Sequence, residues 1–195
     1  MSQYTIWMNL NSRLPVAIYS CDIETTSSLL THGADPNFRS RMGELPICMA
    51  HFCPRNAFEI IYILLIHGAN PNLINHNGGG NSLFHTLGYP YMVSVECMEL
   101  LLHNGADPNF QDNQGNTILM LSLRFYKDTY RQLLMLNNGA LLFIKNRDGL
   151  QPYDIVKNSR NPIKYTIRNY MVQLHLLHAW HHLPPELIRL LLYYL

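Results

Sequence analysis

The chain has 195 residues, of which 48% are hydrophobic and 14% charged, with a formal net charge of +1. That is enough apolar material for one sizeable domain, or a domain with an appendage. Near-neutral charge without like-charge blocks argues against a general nucleic-acid binder or an electrostatically held membrane protein, and no apolar run nears the roughly 18 residues of a membrane span.

In chain order, the first unit is the least regular, with "SRLPVAIYS" where later units carry a turn-to-helix string. A helix is then expected to end in "LLTHGADPNF" at 29–38. The same letters return as "LLIHGANPNL" at 64–73 and "LLHNGADPNF" at 101–110, with a weaker echo, "MLNNGALLFI", at 135–144. The glycines Gly33, Gly68, Gly105 and Gly139 lie 35, 37 and 34 residues apart. In "AFEIIYILLIHG", Ile60, Ile61, Leu64 and Leu65 form one apolar helix face. Gly68 supplies the left-handed conformation that closes such a helix, and the following proline stops it restarting. A second landmark keeps the same phase: turn glycines Gly43, Gly80, Gly115 and Gly149 stand in "SRMGELPIC", "HNGGGNSLFH", "DNQGNTILM" and "RDGLQPYDI". The residues in excess of 33 per period fall near Pro54 and at 88–90.

This two-landmark pattern resembles the ankyrin repeat, whose string is Asp-x-x-Gly-x-Thr-Pro-Leu-His. His85 keeps the histidine, and Pro46 and Pro152 keep the proline. The resemblance spans about residues 5–160, as four helical pairs and a partial fifth. It implies an all-α solenoid of helix-turn-helix repeats with finger loops, one domain over 1–160, stacked because single units cannot bury their apolar faces. It also implies protein binding on a concave face of finger tips and first helices. The variable residues there are Arg39, Arg41, Met42, Met49, Asn75, His76, Thr86, Gln111, Asn113, Gln114, Leu121, Lys145 and Arg147, with cations at both ends to meet acidic groups on a partner. Asn37 and Asn109 stand eight residues after a leucine and two after an aspartate, the context of hydroxylated ankyrin asparagines.

After "GLQPYDIV" the pattern stops, and 161–195 form a small C-terminal helical module. Two apolar helical stretches flank a break at Leu183–Pro185. The last, "ELIRLLLYYL", is apolar almost all round and needs burial, in its own domain or by another protein. The segment resembles the SOCS box of ankyrin-repeat SOCS-box proteins. Ile167-Arg168 match its Ile-Arg pair, "LHLLHAWHHLPPELIRLLLYYL" matches its linker and close, and Ile163 stands at its cysteine position. The resemblance implies adaptor binding by Ile163, Ile167, Leu183, Pro184, Pro185, Leu187 and Leu191. The partners would be elongin B–elongin C and a cullin. "LPPELIRLLLYYL" also resembles the opening of an F-box, which makes an F-box adaptor the alternative. The implied role is the substrate-recognition subunit of a cullin–RING E3 ubiquitin ligase. The other reading is a plain ankyrin protein that masks or tethers a partner, with the tail as a structural cap.

Catalytic and cofactor signatures are not found. "CMAHFC" gathers Cys48, His51 and Cys53, but zinc sites use two separated ligand pairs, and Cys48 occupies a packed position. His175, His178, His181 and His182 read as a solvated or partner-facing helix surface. "NGGGN" at 77–81 lacks the Lys-Ser/Thr of a phosphate loop and reads as a turn. No enzyme activity, metal or cofactor is expected. "MSQYTIWMNLNSR" is no secretory signal, so the expected compartment is the cytoplasm, with the nucleus second, and the four cysteines are expected as reduced thiols.

Overall fold

The computed structural model describes residues 3–75 (side chains from residue 9), 80–87, 95–126, 128–157 and 163–169. Helices alternate in pairs: α1 (Gln3–Tyr19) with α2 (Ile23–Thr31), α3 (Pro46–Met49) with α4 (Ala57–Ile66), α5 (Ser82–His85) with α6 (Val95–His103), and α7 (Ile118–Phe125) with α8 (Thr129–Asn137). A 3₁₀ turn, Ala50–Phe52, extends α3. A fifth pair is α9 (Pro152–Val156) and the helical residues 163–169. No strand occurs among the described residues; one isolated bridge, Gln111 to Thr117, pinches a finger.

Local chemistry sets the ends. Asp22 accepts from the Thr25 N–H (2.9 Å) and Asp128 from the Arg131 N–H (3.2 Å), which satisfies donors at the starts of α2 and α8. Pro46 and Pro152 open their helices, where a missing N–H does no harm. Gly68, at φ +90°, closes α4 with Gly68 N–H to Leu65 O (3.0 Å) and Ala69 N–H to Leu64 O (2.9 Å). The same paired bonds recur at Gly33, Gly105 and Gly139.

First helices pack in one row (α1 on α3, α3 on α5) and second helices in another (α2 on α4, α4 on α6, α6 on α8). The core between the rows is continuous, through Leu29, Ile60, Ile61, Leu64, Met98, Leu101, Leu119 and Met135. Each such side chain contributes about 1.5–3 kcal/mol by leaving water. That core runs on to Ile163 and Ile167, past the sequence boundary at 160.

Polar staples tie the finger bases together. Asn37 donates to Gly68 O (2.9 Å) and accepts from Asn70 N–H (2.8 Å). Asn72 does the same with Gly105 O (2.8 Å) and Asp107 N–H (2.7 Å). Asn109 repeats it with Gly139 O (2.9 Å) and Leu141 N–H (2.7 Å). One short amide thus satisfies two backbone groups of the next unit, and the finger's direction is fixed.

The expectation of four reduced thiols is corrected. Cys21 and Cys53 are joined as a disulfide between the first and second units, while Cys48 and Cys97 are buried and take part in no disulfide. The irregular spacing hid the pair because stacking, not sequence proximity, brings the two turns together.

Candidate protein-binding surface

The N-terminal end of the finger side holds a groove of about 660 Å³. Ser12, Pro15, Val16 and Tyr19 of α1 form one wall, and Phe38 to Glu44 of the first finger form the other. The α1 residues fall at steps of three and four, so one helix face supplies them. The finger is held by its own turn. Ser40 N–H donates to Glu44 O (2.9 Å), Gly43 N–H to Ser40 O (2.8 Å), and Ser40 Oγ accepts from Glu44 N–H (3.1 Å).

Three apolar side chains stand open at the groove: Met42 is 75% exposed, Val16 64% and Tyr19 51%. They form an apolar lip beside two cations. Arg39 is fixed, donating to Gly43 O (2.9 Å) and to Ile74 O (2.7 Å) of the next finger. Arg41 is exposed and has no hydrogen-bond partner among the described residues. The Tyr19 hydroxyl donates to the Glu44 carboxylate, and that bond pushes the Tyr19 pKa up to about 12. Glu44 is thereby engaged within the groove, and Arg41 is left as the charge that a ligand meets.

Residues 80–113 match the family model for the ankyrin repeat. Three curated relatives align over longer stretches. An ankyrin repeat protein of Acanthamoeba polyphaga mimivirus is 32% identical over 129 residues, 58% of this chain and 22% of its own length. A second one from that virus is 31% identical over 111 residues, 57% of this chain and 14% of its own. E3 ubiquitin-protein ligase KEG of Arabidopsis thaliana is 29% identical over 130 residues, 66% of this chain and 8% of its own. The chain thus spans less than a quarter of the length of these relatives. The fold is the all-α ankyrin stack, an architecture for binding other proteins.

The ankyrin fingers place the other expected contact residues unequally. Arg41, Met42, Asn113, Gln114, Lys145 and Arg147 are exposed. Gln111 is exposed too, but its amide donates to Gly115 O (2.6 Å) and Lys145 O (3.0 Å), so it clips two fingers as Arg39 does. The Arg147 N–H donates to Gln114 O (3.0 Å). Asn75 is half-buried and accepts from the Leu45 N–H (3.1 Å), and Leu121 is half-buried on α7. Met49 and Thr86 are corrected: both lie in the interior, and Thr86 Oγ donates to Leu83 O (2.7 Å). Every residue of α3 is buried, and Thr86 is the buried residue that ends α5, so no partner reaches either. His76 lies outside the described residues.

Among the tail positions, Ile163 and Ile167 have no exposed surface and pack within the ankyrin core. An adaptor would reach them only by opening that packing. Leu183, Pro184, Pro185, Leu187, Leu191 and the histidines at 175–182 lie outside the described residues. The candidate hydroxylation sites Asn37 and Asn109 are staple residues, with both amide ends bonded.

In "CMAHFC" Cys48, His51 and Cys53 are buried, and Phe52 alone is exposed. Cys53 is in the disulfide, and burial pushes the Cys48 thiol up to about 12, so neither offers a thiolate. The His51 ring stacks on His85 with centroids 5.8 Å apart. Burial, and then the neighbouring His85, push His51 down to about 3, and burial lowers His85 as well. Among the described residues no three His, Cys, Asp or Glu side chains gather as metal ligands do.

Sequence reasoning missed Val16, Tyr19, Glu44 and the disulfide. The α1 pair had a readable signal: apolar side chains in "SRLPVAIYS" in excess of what one buried face uses.

Proposed function

We propose that the ankyrin stack captures a substrate protein in the N-terminal groove and that the segment after residue 169 docks the chain on a cullin–RING ubiquitin ligase. The single observation behind capture is the apolar lip of Met42, Val16 and Tyr19 set beside Arg39 and Arg41. It suits an extended segment that pairs an apolar side chain with a carboxylate. Apolar contact supplies affinity, and the cations supply register. Support for the ligase half is the SOCS-like close of the tail, together with a relative that is itself an E3 ubiquitin-protein ligase. The burial of Ile163 and Ile167 favours the second reading, a plain scaffold that masks or tethers its partner.

A photo-crosslinking residue at Met42 of the full chain tests capture. A partner crosslinked in cells should be lost with Arg41→Glu and kept with Arg124→Glu, a distant exposed cation. Equal capture by both variants rejects the groove. Pull-downs with elongin B–elongin C and with the F-box adaptor test the tail. Leu187→Asp with Leu191→Asp should abolish whichever capture is seen. Capture by neither adaptor leaves the scaffold reading.

A further inference from the structure

We propose that the Cys21–Cys53 disulfide is a redox clasp that holds the first helical pair, and with it the groove, on the stack. The groove half rests on the reading above; the clasp itself does not.

The motive is where Cys21 sits. It closes α1 as the glycines close α2, α4, α6 and α8. Cys21 N–H donates to Ile18 O (2.9 Å) and Asp22 N–H to Ala17 O (3.0 Å), the same pair of bonds seen at Gly68. That position is left-handed, and Cys21 has φ +53°. Among the described residues it is the one non-glycine with positive φ. A side chain there is strained, and glycine is the ordinary solution. A cysteine in the strained place has a physical rationale if its sulfur is used. The sulfur is bonded to Cys53, in the turn before α4, with the Cα atoms 5.5 Å apart, within the usual range for a disulfide.

The first pair is also the place where a clasp has most to do. Inner units of a stack have two neighbours, whereas the first described pair leans on one. Beside the clasp, Asn56 Nδ2 donates to Cys21 O (2.8 Å), Tyr19 bonds to Glu44, and α1 packs on α3 and α2 on α4, so reduction leaves the first pair held by noncovalent ties alone. Cys21 is partly exposed and Cys53 is buried, so a reductant reaches the Cys21 sulfur first.

The reductant is a dithiol. Its thiolate attacks Cys21 Sγ, the S–S bond breaks, and Cys53 leaves as a thiolate that takes a proton. The second thiol then displaces Cys21 and closes the reagent into a cyclic disulfide. The protein gains two electrons and two protons, and the dithiol is oxidised. Afterwards Cys21 keeps its strained backbone with no bond to hold it. The end of α1 loosens, and Val16 and Tyr19 go with it.

The test uses the full chain, oxidised or treated with dithiothreitol. Alkylation of the unfolded oxidised protein should modify two cysteines, Cys48 and Cys97; four modified cysteines would overturn the proposal. On reduction, amide exchange in 9–31 should speed up about tenfold or more while α7 and α8 stay unchanged. Cys53→Ala should reproduce the reduced state without reductant. Cys21→Gly separates clasp from strain: without the bond but with a relaxed turn, it should exchange more slowly than Cys53→Ala. Identical exchange in the oxidised and reduced chains, or acceleration spread evenly over all units, refutes the clasp. Crosslinking from Met42 should fall with reduction. Its absence in both redox states sinks the groove reading and leaves the clasp to the exchange data.

Discussion

The finger bases and the row of first helices solve one problem, joining each unit to the next, in opposite ways. At the finger bases Asn37, Asn72 and Asn109 repeat the same two bonds with the same geometry. In the first-helix row the position five residues after each turn glycine changes from unit to unit: Cys48, then His85, then Met120. The asparagines bond to backbone, which is the same in every unit, so the side chain cannot vary. In the first-helix row side chain meets side chain, as His51 meets His85, so only their joint volume and polarity are constrained. The first region holds satisfied polar groups. The second holds His51 and His85, whose buried nitrogens include three without a partner.

Acid should open this contrast widest. His51 titrates near 3 in the fold and near 6.5 in the unfolded chain, so its folded pKa is depressed. Its neutral form costs nothing extra above pH 6.5. As pH falls below that, the unfolded chain binds the proton first, and stability is lost until the folded pKa is passed. At pH 5 the loss is about 2 kcal/mol from His51, and His85, also depressed by burial, adds in the same direction. Cys48 stays protonated throughout this range. Glu44 acts on His85 in the opposite sense, through its charge. Denaturant unfolding at pH 7 and pH 5 measures the loss, and His51→Phe should remove most of it. A His51→Phe protein with the parent's acid slope would show that other groups carry the pH dependence.

Breaking the finger column should have a similar, pH-independent effect. Asn109→Ala removes two hydrogen bonds to solvent-exposed backbone groups of the next unit, a loss of about 0.5–1.5 kcal/mol each. In a chain of this size each kcal/mol lowers Tm by about 2–4 °C. Asn72→Ala should lose a like amount, because its bonds are the same. Unequal losses would mean that the column is not the common joint described above.

Gly105→Val probes the column from the backbone. A Cβ there meets nothing within 4 Å, so space is not the objection. The objection is φ +81°, which a β-branched residue tolerates poorly, at roughly 1–2 kcal/mol. An unchanged Tm would be incompatible with a left-handed helix end at that position.

The contrast also explains what could be read in the sequence. The glycine spacing, the helix faces and the finger phase were legible because each repeated letter serves a backbone need that recurs. The stack's all-α fold followed from them. Arg41 and Met42 were legible as exposed fingertip residues. Met49 and Thr86 were misplaced because so short a first helix is buried along nearly its whole length, and periodicity does not reveal that. Cys21–Cys53 and the His51–His85 stack were hidden for a related reason. Each joins residues of neighbouring units across the stack, 32 and 34 positions apart, and no local pattern marks such a pair.

The smallest effect should come from making the third unit resemble the fourth. Met120 occupies in the fourth unit the place of His85 in the third, fully buried and apolar. His85→Met would replace a half-buried ring, whose buried Nε2 has no partner, with a flexible thioether that fills irregular space. It removes the desolvation penalty of that nitrogen and loses the stacking on His51. The two terms nearly cancel, and the expected change at pH 7 lies within about 1 kcal/mol, on the stabilising side. At pH 5 the variant should gain further on the parent, since one of the two groups that penalise the fold in acid is gone. Paired unfolding curves at the two pH values decide it. A loss of more than about 2 kcal/mol at pH 7 would mean that the imidazole makes a contact in the fold that an apolar side chain cannot replace, and that the first-helix row is as exacting as the finger column.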